Sequence, residues 1–427
     1  MKIKFSEIKN WLLLLFLFVL PWQTRWIYQT AYVGKDFWEY GSLSLYGTEL
    51  LLGIVILLFL IEKIHNNFSN LFIKNLNKKR LIKILLSFFG ILLLYLLTST
   101  NRAITWQYLN WLIYGFCLIF IIWQSRLSFK KFSLAVWGGG VLQAVLGIWQ
   151  FFLQYIPANK WLGMAVQDPY QLGVAVVEVG DERWLRAYGA FGWPNSLGIY
   201  LAVVFILGVI LICRNENSKI KTLLLVGQTM ILLGLFFSFA RGAWLALIVG
   251  LLVLIIKKNT GKLFWQQIGV YALIILILLV IFKPLIFSRF DINNRLEKMS
   301  LSQRANQLTE FRQVFSKNYL IGVGPGNYTV VLHGLYPKYS AGDLKPVHNI
   351  FLLFLAEWGL VGMIFCSLII FYNKKMSHWS FPPLTVLLVA GLFDHWSVSL
   401  FTGLIFFCLV VGLSFKYVDV DTKVQPE

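Results

Sequence analysis

Charged residues are scarce in this sequence: Asp, Glu, Lys and Arg make up 13% of its 427 residues, against 58% hydrophobic residues. A soluble domain typically has about 25% charged residues, so no soluble domain of appreciable size is expected. The mean hydropathy is +0.70, and apolar runs long enough to cross a bilayer recur from end to end. The sequence therefore predicts an integral membrane protein.

Several chemistries lack the residues they need. The chain has four cysteines and five histidines, and neither set has the spacing of a disulfide framework or a metal site. The glycine-rich segment from Gly322 to Tyr328 lacks the Lys-Ser/Thr pair of a nucleotide-binding loop. No small-residue cleavage site follows the first apolar run, which indicates an uncleaved span. We expect no metal and no cofactor.

The apolar runs predict an all-α protein with about twelve transmembrane helices of ~20 residues each, forming a single polytopic membrane domain over residues 1–427. The predicted spans lie near residues 8–24, 44–62, 81–99, 104–123, 132–153, 195–213, 220–238, 241–256, 263–284, 349–372, 381–398 and 400–416.

Lysines and arginines predict the orientation, because short cytoplasmic loops retain them. They occur before the first span and after every second one: Lys2, Lys4 and Lys9; Lys74, Lys78, Lys79 and Arg80; Arg126, Lys130 and Lys131; Arg214, Lys219 and Lys221; Lys257, Lys258 and Lys262; and Lys374 and Lys375. Both termini are therefore expected in the cytoplasm. The net charge of +19 is explained by this bias and by anionic lipid, so no nucleic-acid partner is expected.

Two outward segments, residues 154–194 and 283–347, are much longer than a hairpin needs, and long loops concentrate function. The first closes on Arg186 and a glycine- and aromatic-rich run to Asn195, where a turn and a helix cap are expected. For Trp193 an anchor at the membrane interface is the favoured interpretation.

The second long loop is predicted to contain short amphipathic helices, the clearest over residues 300–316. At 3.6 residues per turn the following side chains share one face: Arg304, Leu308, Phe311 and Phe315. Gln303 and Glu310 are expected on other faces. An arginine on an apolar face needs an anion, so Arg304 indicates either an anion site or, equally, a snorkelling or structurally paired residue.

Arg241 stands at a tight outward turn between two apolar runs. A lone outward cation opposes the positive-inside bias, and a cation at a helix N-terminus opposes the helix dipole. Both penalties disappear when an anion binds there, with Gly242 allowing its close approach. Contact with a lipid headgroup is the alternative.

His348 lies at the outward mouth of an apolar run, with Asn349 as the expected helix cap. A histidine at this place suits a general base, although a lone histidine is more often a structural hydrogen-bonding group. Glu357 and Asp394 are ionisable residues within predicted spans, which makes them functional candidates. For Glu357 a packing contact is equally open.

These residues occur in an order that resembles the superfamily of O-antigen ligases and Wzy-type polymerases. The resemblance rests on Ser238-Phe-Ala-Arg241-Gly242-Ala243, Arg304, Gly322-Val-Gly324-Pro325-Gly326-Asn327-Tyr328, His348-Asn349 and Gly359-Leu-Val-Gly362. It covers about residues 185–412, whereas the first five predicted spans match only in character.

The resemblance implies a glycosyltransferase of the bacterial inner membrane that acts on the extracytoplasmic face. Its donor would be a glycan on undecaprenyl pyrophosphate, and its acceptor a glycan, a lipid or a protein. Arg241 and Arg304, helped by Arg186, would hold the pyrophosphate, while His348 would activate the acceptor hydroxyl, without metal and with inversion. The implied supporting residues are Asn349, Gly242, Gly324, Gly326, Asp394 and Glu357.

Ligase, polymerase and protein-glycosylating members share these motifs, so the sequence leaves the subclass open. A transporter or flippase for a lipid-linked glycan or another anionic substrate would also have about twelve spans, but the two halves show neither a clear repeat nor matching broken helices. A sensor or scaffold would explain the arginines but not the neighbouring histidine.

Overall fold

The computed structural model describes residues 2–65, 89–215, 218–257, 261–372 and 381–417. Within this part of the chain the fold is mostly helical, as predicted. Some of the basic residues used for the orientation lie outside the described residues: Lys74, Lys78, Lys79, Arg80, Lys258, Lys374 and Lys375.

The helices follow the predicted apolar runs. They are α1 (Lys2–Val19), α2 (Gly47–His65), α3 (Phe89–Thr98), α4 (Arg102–Gln124), α5 (Phe129–Leu153), α6 (Pro194–Cys213), α7 (Ser218–Phe237), α8 (Arg241–Ile256), α9 (Lys262–Ile281), α10 (Lys283–Phe290), α11 (Arg295–Lys317), α12 (Tyr328–Leu335), α13 (Ile350–Tyr372), α14 (Pro382–Ala390), α15 (Trp396–Ser399) and α16 (Phe401–Tyr417).

Among the described residues, 6 helices are long and apolar enough to cross a membrane: α4, α5, α6, α7, α9 and the part of α13 up to Ser367. Helices α3, α8 and α16 are apolar but shorter. Each predicted span overlaps a described helix, and the eleventh is interrupted, because α14 ends at Ala390 and α15 begins at Trp396. The chain is a multi-pass membrane protein, and the total of about twelve spans remains a prediction.

Helix α6 forms the centre of the helical bundle. It is apolar on all sides and almost completely buried. It packs against α5, α7, α8 and α14. A Cβ atom on Gly198 would lie 2.6 Å from Cβ of Ala240. The glycine therefore lets the first turn of α6 approach the start of α8, where Arg241 lies.

Short strands, which the sequence analysis did not predict, lie between or at the edges of the predicted spans. Strand β1 (Arg25–Gln29) pairs antiparallel with β4 (Leu43–Tyr46), β2 (Tyr32–Val33) pairs with β3 (Asp36–Phe37), and β5 (Val176–Val179) pairs with β6 (Glu182–Leu185). The β5–β6 hairpin turns at Gly180, whose φ of 58° suits glycine. Arg186 follows directly after β6, so the hairpin positions it at the end of the helical bundle.

Helix α11 is longer than predicted and turns a different face inward. It begins at Arg295, capped by Asn294, which accepts a hydrogen bond from N of Leu296 at 3.0 Å. The buried residues of α11 are Glu297, Gln307, Glu310 and Val314. Leu308 is 50% exposed and Arg304 is also exposed. The apolar face predicted for residues 300–316 is only partly covered, since Phe311 and Phe315 are half-buried. The fully buried face borders a polar cavity, so its buried side chains are mostly polar.

Candidate active site

A cavity of about 450 Å³ opens at the end of the bundle that is predicted to face outward. Its lining comes from segments that are far apart in the sequence. It includes Tyr40, Arg186, Trp193, Asn195, Gln303, Asn306, Gln307, Glu310, Tyr339, Asp343, Lys345, His348, Asp394, His395, Trp396 and Leu400. The buried face of α11 and Arg186 both contribute to the lining. The cavity therefore combines cationic, amide, carboxylate and imidazole groups with aromatic rings.

Arg186 is buried, with only 7% of its surface exposed. Its Nε donates to the carbonyl oxygen of Ser238 at 2.7 Å, and its Nη2 donates to Oδ1 of Asn195 at 2.7 Å. Both acceptors are neutral, and no ion pair to Arg186 is found among the described residues. Burial, and then the charge of Arg289, lowers the pKa of Arg186 to about 9. The guanidinium is thus a buried cation without a counter-ion, which an anionic ligand would relieve.

Arg241, predicted to await an external anion, has a carboxylate partner. Its Nη2 lies 2.5 Å from Oε2 of Glu297, and its Nη1 donates to the carbonyl oxygen of Arg289. Glu297 also forms an ion pair with Arg289, and its side chain is only 4% exposed. The Nε of Arg289 is buried and has no hydrogen-bond partner within the described segments. One carboxylate therefore serves two guanidinium groups and leaves them an excess of positive charge.

The start of α8 is strained and close-packed. Phe239, just before it, has a φ of 47°, and the helix has no side-chain cap. A Cβ atom on Gly242 would lie 3.1 Å from Cβ of Phe393. Gly242 thus permits packing against Phe393, in contrast to the predicted close approach of an anion.

Arg304 is exposed and has no hydrogen bond or ion pair with any described residue. Partial desolvation, and then the like charge of Arg241, lowers its pKa, whereas Asp394 and Glu297 oppose the shift. Arg304 therefore belongs electrostatically to the same cationic group as Arg241. The structural pair with Glu297 or Asp343, one of the open alternatives, is not formed.

His348 borders the same cavity. Its Nδ1 lies 2.9 Å from Oε1 of Gln307, and its backbone N–H donates to that same oxygen at 3.2 Å. The ring packs edge-on against His395, with centroids 5.1 Å apart. Asn349 caps α13, as predicted, by accepting hydrogen bonds from the backbone N–H groups of Phe351 and Leu352.

Burial lowers the pKa of His348. The negative charge of Asp394 opposes this shift, and the positive charges of Arg304 and Lys345 add to it. The imidazole is therefore neutral at ordinary pH, which is the state a general base requires.

A hydrogen-bond chain joins the arginine end of the cavity to Asp394. Nδ2 of Asn195 donates to Oδ2 of Asp394 at 3.3 Å, while Oδ1 of Asn195 accepts from Arg186. The other carboxylate oxygen of Asp394 accepts from N of Trp396 at 2.9 Å. Asn195 therefore links the two charged groups. It was expected to cap α6, but its side chain makes no cap there.

Glu357 and the glycine-rich segment form a separate structural unit. Oε1 of Glu357 accepts from N of Tyr328 at 3.3 Å, and the carbonyl oxygen of Glu357 accepts from N of Gly324 at 3.0 Å. Gly322, Gly324 and Gly326 have φ of 83°, 99° and 77°, values that favour glycine. Glu357 thus fixes the loop against α13, which is kinked at Gly359, and makes no described contact with His348.

The sequence analysis passed over several residues of the site: Tyr40, Arg289 and Gln307. Arg289 carries a detectable signal, because it is another outward arginine in the second long loop. Gln307 has none, because a neutral amide on a helix is ordinary. Among the described residues, no group of His, Cys, Asp and Glu side chains is arranged to hold a metal ion.

Residues 226–367 match the family model of O-antigen ligase. The match covers about a third of the chain, and over that segment the chain is similar to the O-antigen ligases. The resemblance found in the sequence is thereby confirmed. Comparison with the curated proteins gives no match.

The matched ligase domain contains Arg241, Arg304 and His348. Arg186 and Asp394 lie outside it, on either side in the sequence, yet they border the same cavity as His348. Tyr40 also lies outside and packs edge-on against His395, with centroids 5.9 Å apart. The cavity is therefore completed by segments before and after the matched ligase domain.

Proposed function

We propose that this membrane protein transfers a glycan from undecaprenyl pyrophosphate to an acceptor hydroxyl on the extracytoplasmic face. The O-antigen ligase domain supports a membrane glycan ligase or polymerase, and the finer assignment rests on the cavity. The observation that carries it is that Arg186, a buried cation without a counter-ion, and His348, a neutral imidazole, line one cavity.

The donor pyrophosphate would bind at the arginine end. Arg186 offers a desolvated positive charge, and Arg304 is free to turn toward a ligand. Arg241 and Arg289 share Glu297, so a pyrophosphate would supply the negative charge that one carboxylate does not. Guanidinium groups bind phosphate oxygens through paired hydrogen bonds. As the leaving group departs, these arginines would stabilise its growing charge.

The acceptor hydroxyl would be activated by His348. Nε2 of the imidazole takes the proton of the hydroxyl, and the oxygen forms a bond to the anomeric carbon as the bond from that carbon to the pyrophosphate oxygen breaks. The electron pair of the broken bond leaves with the lipid pyrophosphate. Attack from the side opposite the leaving group inverts the anomeric centre. The imidazolium then returns its proton to water in the open cavity.

The proposed reaction needs no metal, because the arginines neutralise the charge that a magnesium ion neutralises in many phosphate enzymes. Asp394 would hold Asn195, and through it Arg186, in place by the observed hydrogen bonds. Asn349 would fix the backbone beside His348, while Gly242, Gly324, Gly326 and Glu357 would support the surrounding fold.

The functional unit would extend beyond the matched segment to residues 185–412. With both termini in the cytoplasm, the cavity faces outward in the bacterial inner membrane, and the long segments 154–194 and 283–347 surround it. The polyprenyl chain would lie along apolar helix surfaces such as that of α9, where Leu273, Leu276 and Val280 are exposed.

The test compares wild type with Arg241→Ala and His348→Ala in the native cell, measuring lipid-linked glycan and finished surface glycan. Both variants should accumulate lipid-linked glycan on the outer leaflet and lose surface glycan. Accumulated single repeats indicate a polymerase, and accumulated long chains a ligase. Arg295→Ala, an exposed arginine paired with Glu178, and His333→Ala are matched controls. If neither glycan pool changes in correctly folded variants, a transporter explains the cavity better.

A further inference from the structure

Gln307 makes two contacts with His348 through one atom. Its Oε1 lies 3.2 Å from the backbone N and 2.9 Å from the ring Nδ1 of His348. A backbone N–H only donates, so the atom that receives it is the amide oxygen and not the amide nitrogen. The ring Nδ1, in contact with the same oxygen, must then carry a proton to form its hydrogen bond.

We infer that Gln307 is a positioning residue that holds His348 in the Nδ1–H tautomer, which leaves Nε2 as the atom that accepts the proton of the acceptor hydroxyl. The role of Nε2 in transfer rests on the proposed function. The tautomer itself is a property of the folded protein, and it can be measured without any substrate.

Asp394, an acidic residue of the same cavity, does not bond to the ring of His348. Its Oδ1 accepts from N of Trp396 and its Oδ2 accepts from Asn195. In the described part of the chain, Gln307 is therefore the hydrogen-bond partner of the His348 ring. A neutral amide differs from a carboxylate in that it fixes the tautomer without stabilising the imidazolium.

The position of Gln307 is itself fixed. It lies on the buried face of α11 and is only 8% exposed, and one turn later Glu310 accepts a hydrogen bond from the hydroxyl of Tyr339 at 2.9 Å. The Asn349 cap fixes the backbone on the other side of the contact. Both partners of the Gln307–His348 pair are thus held by rigid elements, as a catalytic geometry requires.

His395 is a neighbouring histidine whose hydrogen-bond partner does not fix its tautomer. Its Nδ1 lies 2.7 Å from Oγ of Ser399, and a hydroxyl can donate or accept, so this contact permits either tautomer. The groups that act on the charge of His348 are Asp394, Arg304 and Lys345. They change its proton affinity but do not choose between its two nitrogens.

The first measurement is solid-state NMR of the full-length protein labelled with ¹⁵N-histidine, at a pH above the titration of His348. His348→Ala identifies the signals of His348 by their loss. The expected spectrum has a protonated Nδ1 and an unprotonated Nε2 in wild type. In Gln307→Met the acceptor is gone, and a mixture of the two tautomers is expected. Gln313→Met, an exposed substitution on the same helix, should leave the wild-type spectrum.

Gln307→Glu provides the second readout. A carboxylate can accept both hydrogen bonds, so the Nδ1–H tautomer should persist. Its negative charge stabilises the imidazolium, and the acid limb of the pH–rate profile should move to higher pH by about one unit. The shift would show that residue 307 lies against the ring of His348 in the working enzyme, and no shift would contradict that contact. For Gln307→Met we expect kcat about 10- to 100-fold lower with KM little changed.

A wild-type spectrum with a protonated Nε2 overturns the inference, whatever the enzyme transfers. It is also overturned if Gln307→Met keeps the wild-type tautomer while folding normally. A failure of glycan transfer in wild type, by contrast, would contradict only the proposed function, because the tautomer is measured without substrate.

Discussion

Nη2 of Arg186 donates a hydrogen bond of 2.7 Å to Oδ1 of Asn195, and the other side of that amide donates to Asp394. The amide separates the guanidinium from the carboxylate, so the two charges do not form an ion pair. Arg186 consequently keeps its positive charge available to a ligand, while its orientation is fixed.

Replacing Arg186 should separate activity from stability. Arg186→Met removes a buried cation that has no counter-ion, so transfer should fall by at least about 100-fold, whereas the midpoint of thermal unfolding should stay within a few degrees of wild type or rise. Arg186→Lys should not restore transfer, because an ammonium lacks the planar fork of donors. Thermal unfolding and glycan transfer are measured on the same preparations. A large loss of stability in Arg186→Met would mean that the neutral partners of Arg186 already compensate its burial, so that no anion is needed.

Glu297→Gln should destabilise the protein and increase its stabilisation by added pyrophosphate. The substitution leaves Arg241 and Arg289 without their shared carboxylate, and breaking a buried pair costs about 3–5 kcal/mol. Inorganic pyrophosphate should then raise the melting temperature of Glu297→Gln more than that of wild type, since it replaces the lost charge. Glu182→Gln, an exposed glutamate on β6, is the control. Equal responses in all three proteins would contradict the proposed anion site.

The rate of transfer should fall as the pH is lowered, with an apparent pKa below the ordinary histidine value of ~6.5. Burial lowers the pKa of His348, and the base must be neutral, so activity is full above this pKa and falls as the pH drops through it. Asp394 raises the pKa of His348, so Asp394→Asn should move the acid limb further down. The pH–rate profiles of both proteins check the direction. An upward shift in Asp394→Asn would contradict it.

Gly324→Ala should act on stability and not on chemistry. The residue has a φ of 99°, and its Cβ would lie 2.4 Å from Cβ of Ser99. Strain of about 1–3 kcal/mol is expected, seen as a lower midpoint of unfolding. Gly334→Ala in α12 has open space around its Cβ and should be neutral or stabilising by up to about 1 kcal/mol. Similar effects of the two substitutions would show that the loop tolerates side chains.

Transfer should persist after treatment with EDTA, because the proposed stabilisation of the leaving group comes from arginines. Transfer in washed membranes is measured before and after chelation, with magnesium added back as the control. A loss of activity that magnesium restores would require a metal ion in the mechanism.

Apolar patterning alone located the helices. Runs of apolar residues near the length of a bilayer can only be helical, because lipid offers no hydrogen-bond partners to the backbone. The strand pairs around Arg25 and Val176 were missed, since short strands in loops carry a weak signal. The buried polar face of α11 was not identified, because periodicity shows which residues share a face and not what that face covers.

The sequence by itself determined that this is a polytopic membrane protein and singled out Arg186, Arg241, Arg304 and His348, because a charge in an apolar outward turn is costly unless it has a use. The tertiary structure alone decided which of these charges are already paired. It placed Glu297 between Arg241 and Arg289 and set Gln307 against His348. Such contacts depend on distances between residues far apart in the chain, and a neutral amide carries no sign of them in the sequence.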